Sequence, residues 1–333
     1  MGHDMTETSA NIAEGTQKQR IQFAKLFRTF GTVVIFVLLV IMASSQSDAF
    51  LSERNITNVL RQMSGIGVMS VGMLFVILTA GIDLSVGSIA AVGSVASAIL
   101  LKEYPLPVAL PMVIGIGAVC GGVSGALVAF FRLPSFVITL AMMTAARGIA
   151  LIMSNGQPIM VGSAGQALQN FGTSYTFGLP NPALVMIVIF LLALVVLNLT
   201  RFGRLVKAIG SNEEAVRLSG ISVPAHILSV YVISGALAAL AGILITARSG
   251  VGSPSVGVGN ELSVIAAVVI GGASLMGGVG GVINTFLGVM ILGIIGNIMN
   301  LAGVPGYHQQ VYLGAIIVIA VLIQNASQIL RRH

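Results

Sequence analysis

Charge is what this sequence has least of: Asp, Glu, Lys and Arg together make up 8% of its 333 residues. Soluble domains carry about 25% charged residues. Hydrophobic residues make up 56% of the chain, and its mean hydropathy is +1.01. Because a soluble fold could not hide this much apolar surface, the composition predicts an integral membrane protein.

Cysteine is almost absent, and the common catalytic and metal-binding motifs are missing. The single cysteine, Cys120, excludes an intrachain disulfide and a thiolate metal site. No lysine follows a glycine, so the phosphate-binding motif GxxxxGK(S/T) cannot occur, and the four dispersed histidines include no HExxH pair. No GxSxG nucleophile motif is present. The sequence therefore predicts no catalytic residue, no metal, no cofactor and no enzymatic activity.

Apolar runs long enough to cross a bilayer, which takes about 20 residues, predict an all-α protein with about ten transmembrane helices. A polar cytoplasmic tail (1–28) precedes a transmembrane domain (29–327), and a basic cytoplasmic terminus (328–333) follows it. The first span resembles a signal peptide in its flanks but fits a retained signal anchor better. The eighth span is short and could be re-entrant, so the count could be nine to eleven. The predicted spans are 29–46, 62–80, 84–101, 107–131, 134–153, 181–199, 226–247, 260–275, 279–300 and 307–327.

Basic residues give the orientation. The pI of 9.9 does not predict nucleic-acid binding, because the charged residues flank membrane spans as the positive-inside rule expects. With both termini cytoplasmic, eleven of the sixteen basic residues lie inside, and the long uncharged segment 155–182 lies outside. The eleven are Lys18, Arg20, Lys25, Arg28, Arg132, Arg201, Arg204, Lys207, Arg217, Arg331 and Arg332.

One long charged segment interrupts the apolar runs, within residues 200–225. Asn212 can cap a short helix, with Glu213 and Glu214 in its first turn, and Gly220 can end it. Such a helix cannot lie in hydrocarbon, so we expect it to face water. It is either a docking element for a partner, with Ala215, Val216 and Leu218 as its apolar contacts, or a solvated loop without one.

Polar groups inside the apolar spans are candidates for a translocation pathway. Asp83 and Ser85 open the third span, and Glu261 opens the eighth with a similar local sequence, which suggests an inverted repeat. Capping of the helix starts is the alternative role for these groups. Asn284 and Asn297 are further candidates, with interhelical hydrogen bonding as the alternative. Arg147 could reach the membrane interface or pair with a carboxylate. The spacing of Gly117, Gly121 and Gly125 predicts close helix packing.

Three stretches together resemble the permease subunits of bacterial ribose-type sugar ABC importers. They are GIDLSVGSIAAVGS at 81–94, GRLVKAIGSNEEAVRLSGI at 203–221 and GGASLMGGVGGVINTFLGVMIL at 271–292. The resemblance covers about residues 30 to 327. It implies a permease of the bacterial inner (cytoplasmic) membrane that translocates a monosaccharide or similar small polyol, surrounded by membrane lipid.

The resemblance also implies partners: a cytoplasmic ABC ATPase, a periplasmic sugar-binding protein and a second permease copy, as a homodimer or related heterodimer. It makes the charged segment the ATPase-coupling loop, with Glu213, Glu214, Ala215, Arg217 and Gly220 as its residues. The family pattern has alanine where this chain has Val216. Two other hypotheses remain open on the residues alone, an ion-coupled secondary transporter of a small polar solute and a membrane scaffold.

Overall fold

The computed structural model describes residues 31–329. The predicted tail (1–28) and the terminal residues 330–333 lie outside this range. The structure is 77% helical, and its strands are only two residues long. The prediction of an all-α protein is therefore confirmed.

Thirteen helices are found among the described residues. Each of the ten predicted spans overlaps one of them, and six are long and apolar enough to cross a membrane: α2, α4, α5, α7, α10 and α12. The helices are α1 (Gly31–Gln46), α2 (Glu53–Leu78), α3 (Val86–Leu100), α4 (Leu106–Phe131), α5 (Ser135–Ser154), α6 (Gln166–Thr173), α7 (Asn181–Leu199), α8 (Arg201–Ser211), α9 (Glu213–Leu218), α10 (Val223–Ser249), α11 (Asn260–Ile270), α12 (Val282–Leu301) and α13 (Gly306–Ile329).

The α10 helix is the centre of the bundle and packs on α4, α3 and α2. The predicted close packing of the α4 glycines is confirmed, because their faces lie directly against the α10 backbone. A Cβ on Gly121 would overlap the carbonyl oxygen of Tyr231 and lie 3.1 Å from the Cα of Gly235. Apolar side chains of all four helices are buried around this contact.

The two ends of α10 carry different structures. Near its first residue, α9 packs through Val216 onto Val223. Near its last turn, Gly172 of α6 lies against the backbone of Ala247. Strands β1 (Ile159–Met160) and β4 (Val251–Gly252) pair antiparallel, as do β2 (Tyr175–Thr176) and β3 (Leu179–Pro180), and all four belong to the segments that flank α6, α7 and the end of α10. We call the end with α8 and α9 the loop end, and the end with α6 the far end.

Two predicted spans differ from the helices observed. The second helix begins at Glu53 rather than near residue 62, because Ser52 caps it by accepting a hydrogen bond from the Asn55 amide. The helix of the eighth predicted span, α11, ends at Ile270, well before residue 275, because the chain turns at Gly272 with a φ of +85°. At 1.5 Å per residue, α11 is about 16 Å long, about half of a hydrocarbon core of roughly 30 Å.

The chain between α10 and α11 runs back into the bundle beside α3. Gly252 lies against Ala98 and the backbone of Ser94, and Gly257 lies against the backbone of Gly87. Glycines are required here because a Cβ at either position would overlap α3. As a result, α11 begins beside the first turn of α3, deep within the bundle rather than at its far end.

Candidate functional site

The charged segment forms two helices at the loop end, as its capping pattern predicts. The Asn212 side chain accepts a hydrogen bond from the Ala215 amide, 3.0 Å away, and so starts α9. Glu214 and Arg217 form an ion pair of 2.5 Å, the one ion pair in the part of the chain that the structure describes. The hydrogen bond from Arg217 to Glu214 raises the pKa of this arginine above its ordinary value. Gly220 ends the element with a φ of +75°.

Val216 is the inward residue of α9. It is 8% exposed and packs with Ile209 of α8 and Val223 of α10. The expected contact of Val216 with a partner is therefore not supported, since this side chain is almost fully covered by its own protein. Leu218, 78% exposed, remains available on the outside. The valine at the position where the family pattern has alanine thus serves internal packing.

The α8 helix fixes this segment to the bundle. Gly210 lies so close to the Leu78 carbonyl at the end of α2 that a Cβ would overlap it. The amide of Gly278, in the turn after α11, donates to the same carbonyl at 3.0 Å. The end of α8 therefore contacts the end of α2 and the turn that follows α11.

A shallow cavity of about 390 Å³ opens between α8 and the start of α10. The rings of Phe202 and His226 stack on one wall, with centroids 5.8 Å apart and planes inclined by 17°. His226 is fixed by a 2.8 Å hydrogen bond between its Nδ1 and the Ser222 carbonyl. The cavity adjoins Gly220, so it extends the exposed surface of α9.

Asp83 and Ser85 lie together in the break between α2 and α3 and are completely buried. The Asp83 carboxylate accepts hydrogen bonds from the Ser85 amide (3.0 Å), the Ser85 hydroxyl (2.5 Å) and the Ser234 hydroxyl of α10 (2.7 Å). The first of these satisfies a backbone amide at the start of α3, as the capping alternative expects. The arrangement holds a helix break together rather than lining an open surface.

Glu261 lies in the first turn of α11, half-buried, with its carboxylate against Gly87 at the start of α3. Arg147 of α5 donates to the carbonyls of Pro254 (2.5 Å) and Val256 (2.7 Å) in the segment that leads to α11. Glu261 also attracts Arg147 electrostatically. Of the two alternatives for Arg147, the structure favours an interaction inside the bundle, in which the carbonyl oxygens are the hydrogen-bond partners.

Asn297 lies far from this group, near the other end of α2. Its side chain exchanges two hydrogen bonds with Asn55, of 2.9 and 2.7 Å, and so joins α12 to α2. Asn284 is half-buried near the start of α12, where its backbone packs on Gly271. The five predicted pathway residues therefore fall into three places rather than one site.

Several polar partners in these contacts were missed by sequence reasoning. Ser234 and Asn55 are isolated polar residues in apolar helices, where nothing local indicates a partner. Ser135 and Thr139 of α5 are similar: the Ser135 hydroxyl accepts from the Ile82 amide (3.3 Å), and the Thr139 hydroxyl donates to the Ile82 carbonyl (3.2 Å). A polar residue in an apolar helix that faces a predicted helix break is the signal that could have identified Ser234, Ser135 and Thr139.

No group of three or more His, Cys, Asp or Glu side chains within residues 31–329 is arranged to hold a metal ion.

A family model described as "Branched-chain amino acid transport system / permease component" matches residues 55–321. The chain is 41% identical to the ribose import permease protein RbsC of Haemophilus influenzae over 295 residues, which cover 88% of this chain and 91% of that protein.

Further relatives match over a similar share of the chain. The RbsC protein of Bacillus subtilis is 41% identical over 312 residues, 93% of this chain and 97% of its own length. The xylose transport system permease protein XylH of Escherichia coli is 33% identical, and the match covers 90% of that protein. No solved structure gives a significant match.

Proposed function

The chain belongs to the family of branched-chain amino acid transport system permease components, and on that premise we propose that it is the membrane-spanning subunit of an ATP-driven sugar importer. A permease of this family is a multi-pass protein of the inner membrane and is not itself the ATPase. Its relatives are named for ribose import and xylose transport. The proposed cargo is therefore a pentose or a similar small polyol.

The observation that carries this proposal is the structure of α9. It is a short, capped helix whose outer side is exposed, and Val216 anchors it to the first residue of α10. A helix that is rigidly joined to the central helix can transmit a push from a partner into the bundle. We propose that the ATPase binds Ala215, Leu218 and the adjoining cavity, while Glu213, Glu214 and Arg217 set its register.

Capture of the ATPase tests this assignment. We expect the double variant Glu214→Arg/Gly220→Pro to lose co-purification of the ATPase, because it reverses a surface charge and breaks the turn after α9. A matched control at the far end is Gln166→Arg/Gly178→Pro, since Gly178 has a φ of +77° and, like Gly220, nothing within 4 Å. Capture that survives the first variant, or is lost equally in both, would show that α9 is not the contact.

We also propose the finer topology: ten membrane-crossing segments, the eighth of which is made up of α11 and the chain that leads into it along α3, both termini and the loop end in the cytoplasm, and α3 and α11 as the short helices of an inverted repeat. What supports it is the basic composition of α8 and the start of α11 beside the start of α3. With Cys120 replaced by alanine, cysteines placed at Arg217 and Phe177 should react with a membrane-impermeant reagent from opposite sides. Reaction from the same side would contradict the topology.

For the pathway, we propose that sugar passes between two copies of the permease and is delivered by the periplasmic binding protein. Glu261 is the pathway candidate that the site geometry supports best, because it is half-buried beside two short helix starts. Asn284 and Asn297 stay as candidates, with helix packing as their other role. For Asp83, the hydrogen bond from the Ser85 amide supports capping, and Ser85 supports that role by donating its hydroxyl to Asp83.

Uptake in vesicles separates this function from the alternatives. The reconstituted permease, ATPase and binding protein should accumulate labelled ribose or xylose only when ATP is supplied on the ATPase side. Uptake driven by a proton or sodium gradient without ATP would support an ion-coupled transporter instead. The complete absence of uptake of any sugar would favour a scaffold.

A further inference from the structure

The break between α2 and α3 is attached to the central helix by one buried polar contact. Asp83 of the break and Ser234 of α10 are both 0% exposed, and their oxygen atoms are 2.7 Å apart. Gly72 of α2 lies against the backbone of Ser234 at the same level. The contact therefore joins three helices at a single point, between residues that are 151 positions apart in the chain.

From this point, a continuous path of helix leads to the loop end. Ser234 lies on the same unbroken helix as Val223, and Val223 packs on Val216 of α9. At 1.5 Å per residue, the eleven-residue step from Val223 to Ser234 spans about 16 Å. Because the helix is continuous between these residues, it provides a mechanical connection from α9 to Ser234.

In the other direction, the break leads to the start of α3 and to the segment beside it. Ser85, the second partner of Asp83, is the residue from which α3 begins. Gly87, two residues later, touches both Gly257 and the Glu261 carboxylate. A movement of Asp83 would therefore move the start of α3 against the segment that leads to α11.

A carboxylate is an unfavourable group with which to join two apolar helices. Burial of a charge costs several kcal/mol unless it is well compensated, and an apolar pair of similar volume is often at least as stable. None of the described basic residues forms an ion pair with Asp83. The same two helices are joined further along by an uncharged contact, between the hydroxyls of Ser94 and Thr246 at 2.7 Å. Capping of α3 accounts for the hydrogen bond from the Ser85 amide to Asp83, but it does not require the second bond, from Ser234 of α10.

We propose that Asp83 is a positioning residue for transport, which makes the start of α3 follow α10 through its hydrogen bond with Ser234 when the loop end moves. This inference rests on the proposed function, because the movement comes from the ATPase. It adds to that function the residue pair that links ATP hydrolysis to the helix break. The hydrogen bond can link the two groups in this way because it is stable only within a narrow range of distances and angles.

The test measures sugar transported per ATP hydrolysed, with the complete importer reconstituted in liposomes. We expect Ser234→Ala to assemble and hydrolyse ATP but to lower this ratio about tenfold, the factor that corresponds to the loss of one hydrogen bond of about 1.4 kcal/mol. Ser234→Thr, which keeps the hydroxyl, should restore much of the ratio. If Ser234→Ala does not assemble, Ser234→Cys is measured in its place, since it retains the volume with a weaker donor.

Thr246→Ala is the matched control, because it removes a buried hydroxyl contact between the same helices without touching the break. It should lower the stability of the complex and leave the ratio unchanged. An unchanged ratio in the Ser234 variants, or an equal fall in Thr246→Ala, would overturn the proposal. Failure of the wild-type complex to couple uptake to ATP would instead refute the proposed function.

Discussion

Replacement of Gly121 by alanine tests the packing that makes α10 the central helix. The added methyl group would overlap the Tyr231 carbonyl oxygen and come within 3.1 Å of the Gly235 Cα. Both atoms belong to the α10 backbone, which cannot rotate away as a side chain can. The two helices would have to separate, and we expect the separation to spread along the contact between α4 and α10.

The cost follows from what holds helices together in a membrane. There is little hydrophobic driving force between helices in lipid, so close van der Waals packing supplies much of the association free energy. Overpacking a close contact costs about 1–3 kcal/mol. We expect the upper part of this range for Gly121→Ala, because rigid backbone opposes the methyl group.

The same helix offers a control. A methyl group added to Gly115 of α4 would meet no other helix within 4 Å. Its replacement by alanine should be neutral or stabilise the helix by roughly 0.5–1 kcal/mol, because alanine restricts the unfolded chain more than glycine does. The pair therefore separates packing from intrinsic helix preference.

The assay uses the single cysteine, Cys120, which lies half-buried on α4. A thiol-reactive fluorescent dye reports its exposure as purified protein is heated in detergent. We expect the midpoint temperature of unfolding to fall by several degrees in Gly121→Ala and to stay the same or rise in Gly115→Ala. Equal midpoints in the two variants would refute the argument that the glycine face of α4 is needed for contact with α10.

Two further variants address single contacts. Arg147→Met should lower uptake and speed the labelling of a cysteine placed at Val258, because two carbonyls lose their donor; unchanged labelling would contradict this. Asn297→Leu should destabilise the protein by about 1 kcal/mol, because the Oδ1 of the half-buried Asn55 loses its donor while its Nδ2 still donates to the Phe50 carbonyl, and the double variant Asn55→Leu/Asn297→Leu should recover part of the loss in the same dye assay. If the double variant is as unstable as the single one, the two side chains stabilise the protein by more than the hydrogen bonds between them.

The helices at the loop end could be predicted from sequence in detail, because their determinants are local. Asn212 caps the helix three residues before the amide that it binds, and Gly220 ends the element through its own backbone. The direction of Val216 could not be predicted, since in so short a helix the buried side depends on what lies beneath. That surface is formed by Ile209 and Val223, which belong to two other helices.

The candidate pathway residues show the same limit. The sequence identified Asp83 and Glu261 as unusual groups at helix starts, and the choice between capping and transport depended on their surroundings. Burial with Ser234 assigns Asp83 to the helix break, and half-burial beside Arg147 leaves Glu261 accessible. These partners are distant in the chain, so no local pattern could have indicated them.

By itself, the sequence determined that this protein lies in a membrane, that its apolar segments are helices, and that a capped charged helix interrupts them. These properties follow from hydrophobic length and from contacts within four residues. Only the tertiary structure decided that α11 alone is too short to span, that the chain before it runs back along α3, and that Asp83 bonds to α10. Each of these depends on glycines and hydroxyls that meet across separate helices, where close approach is set by the packing of the whole bundle.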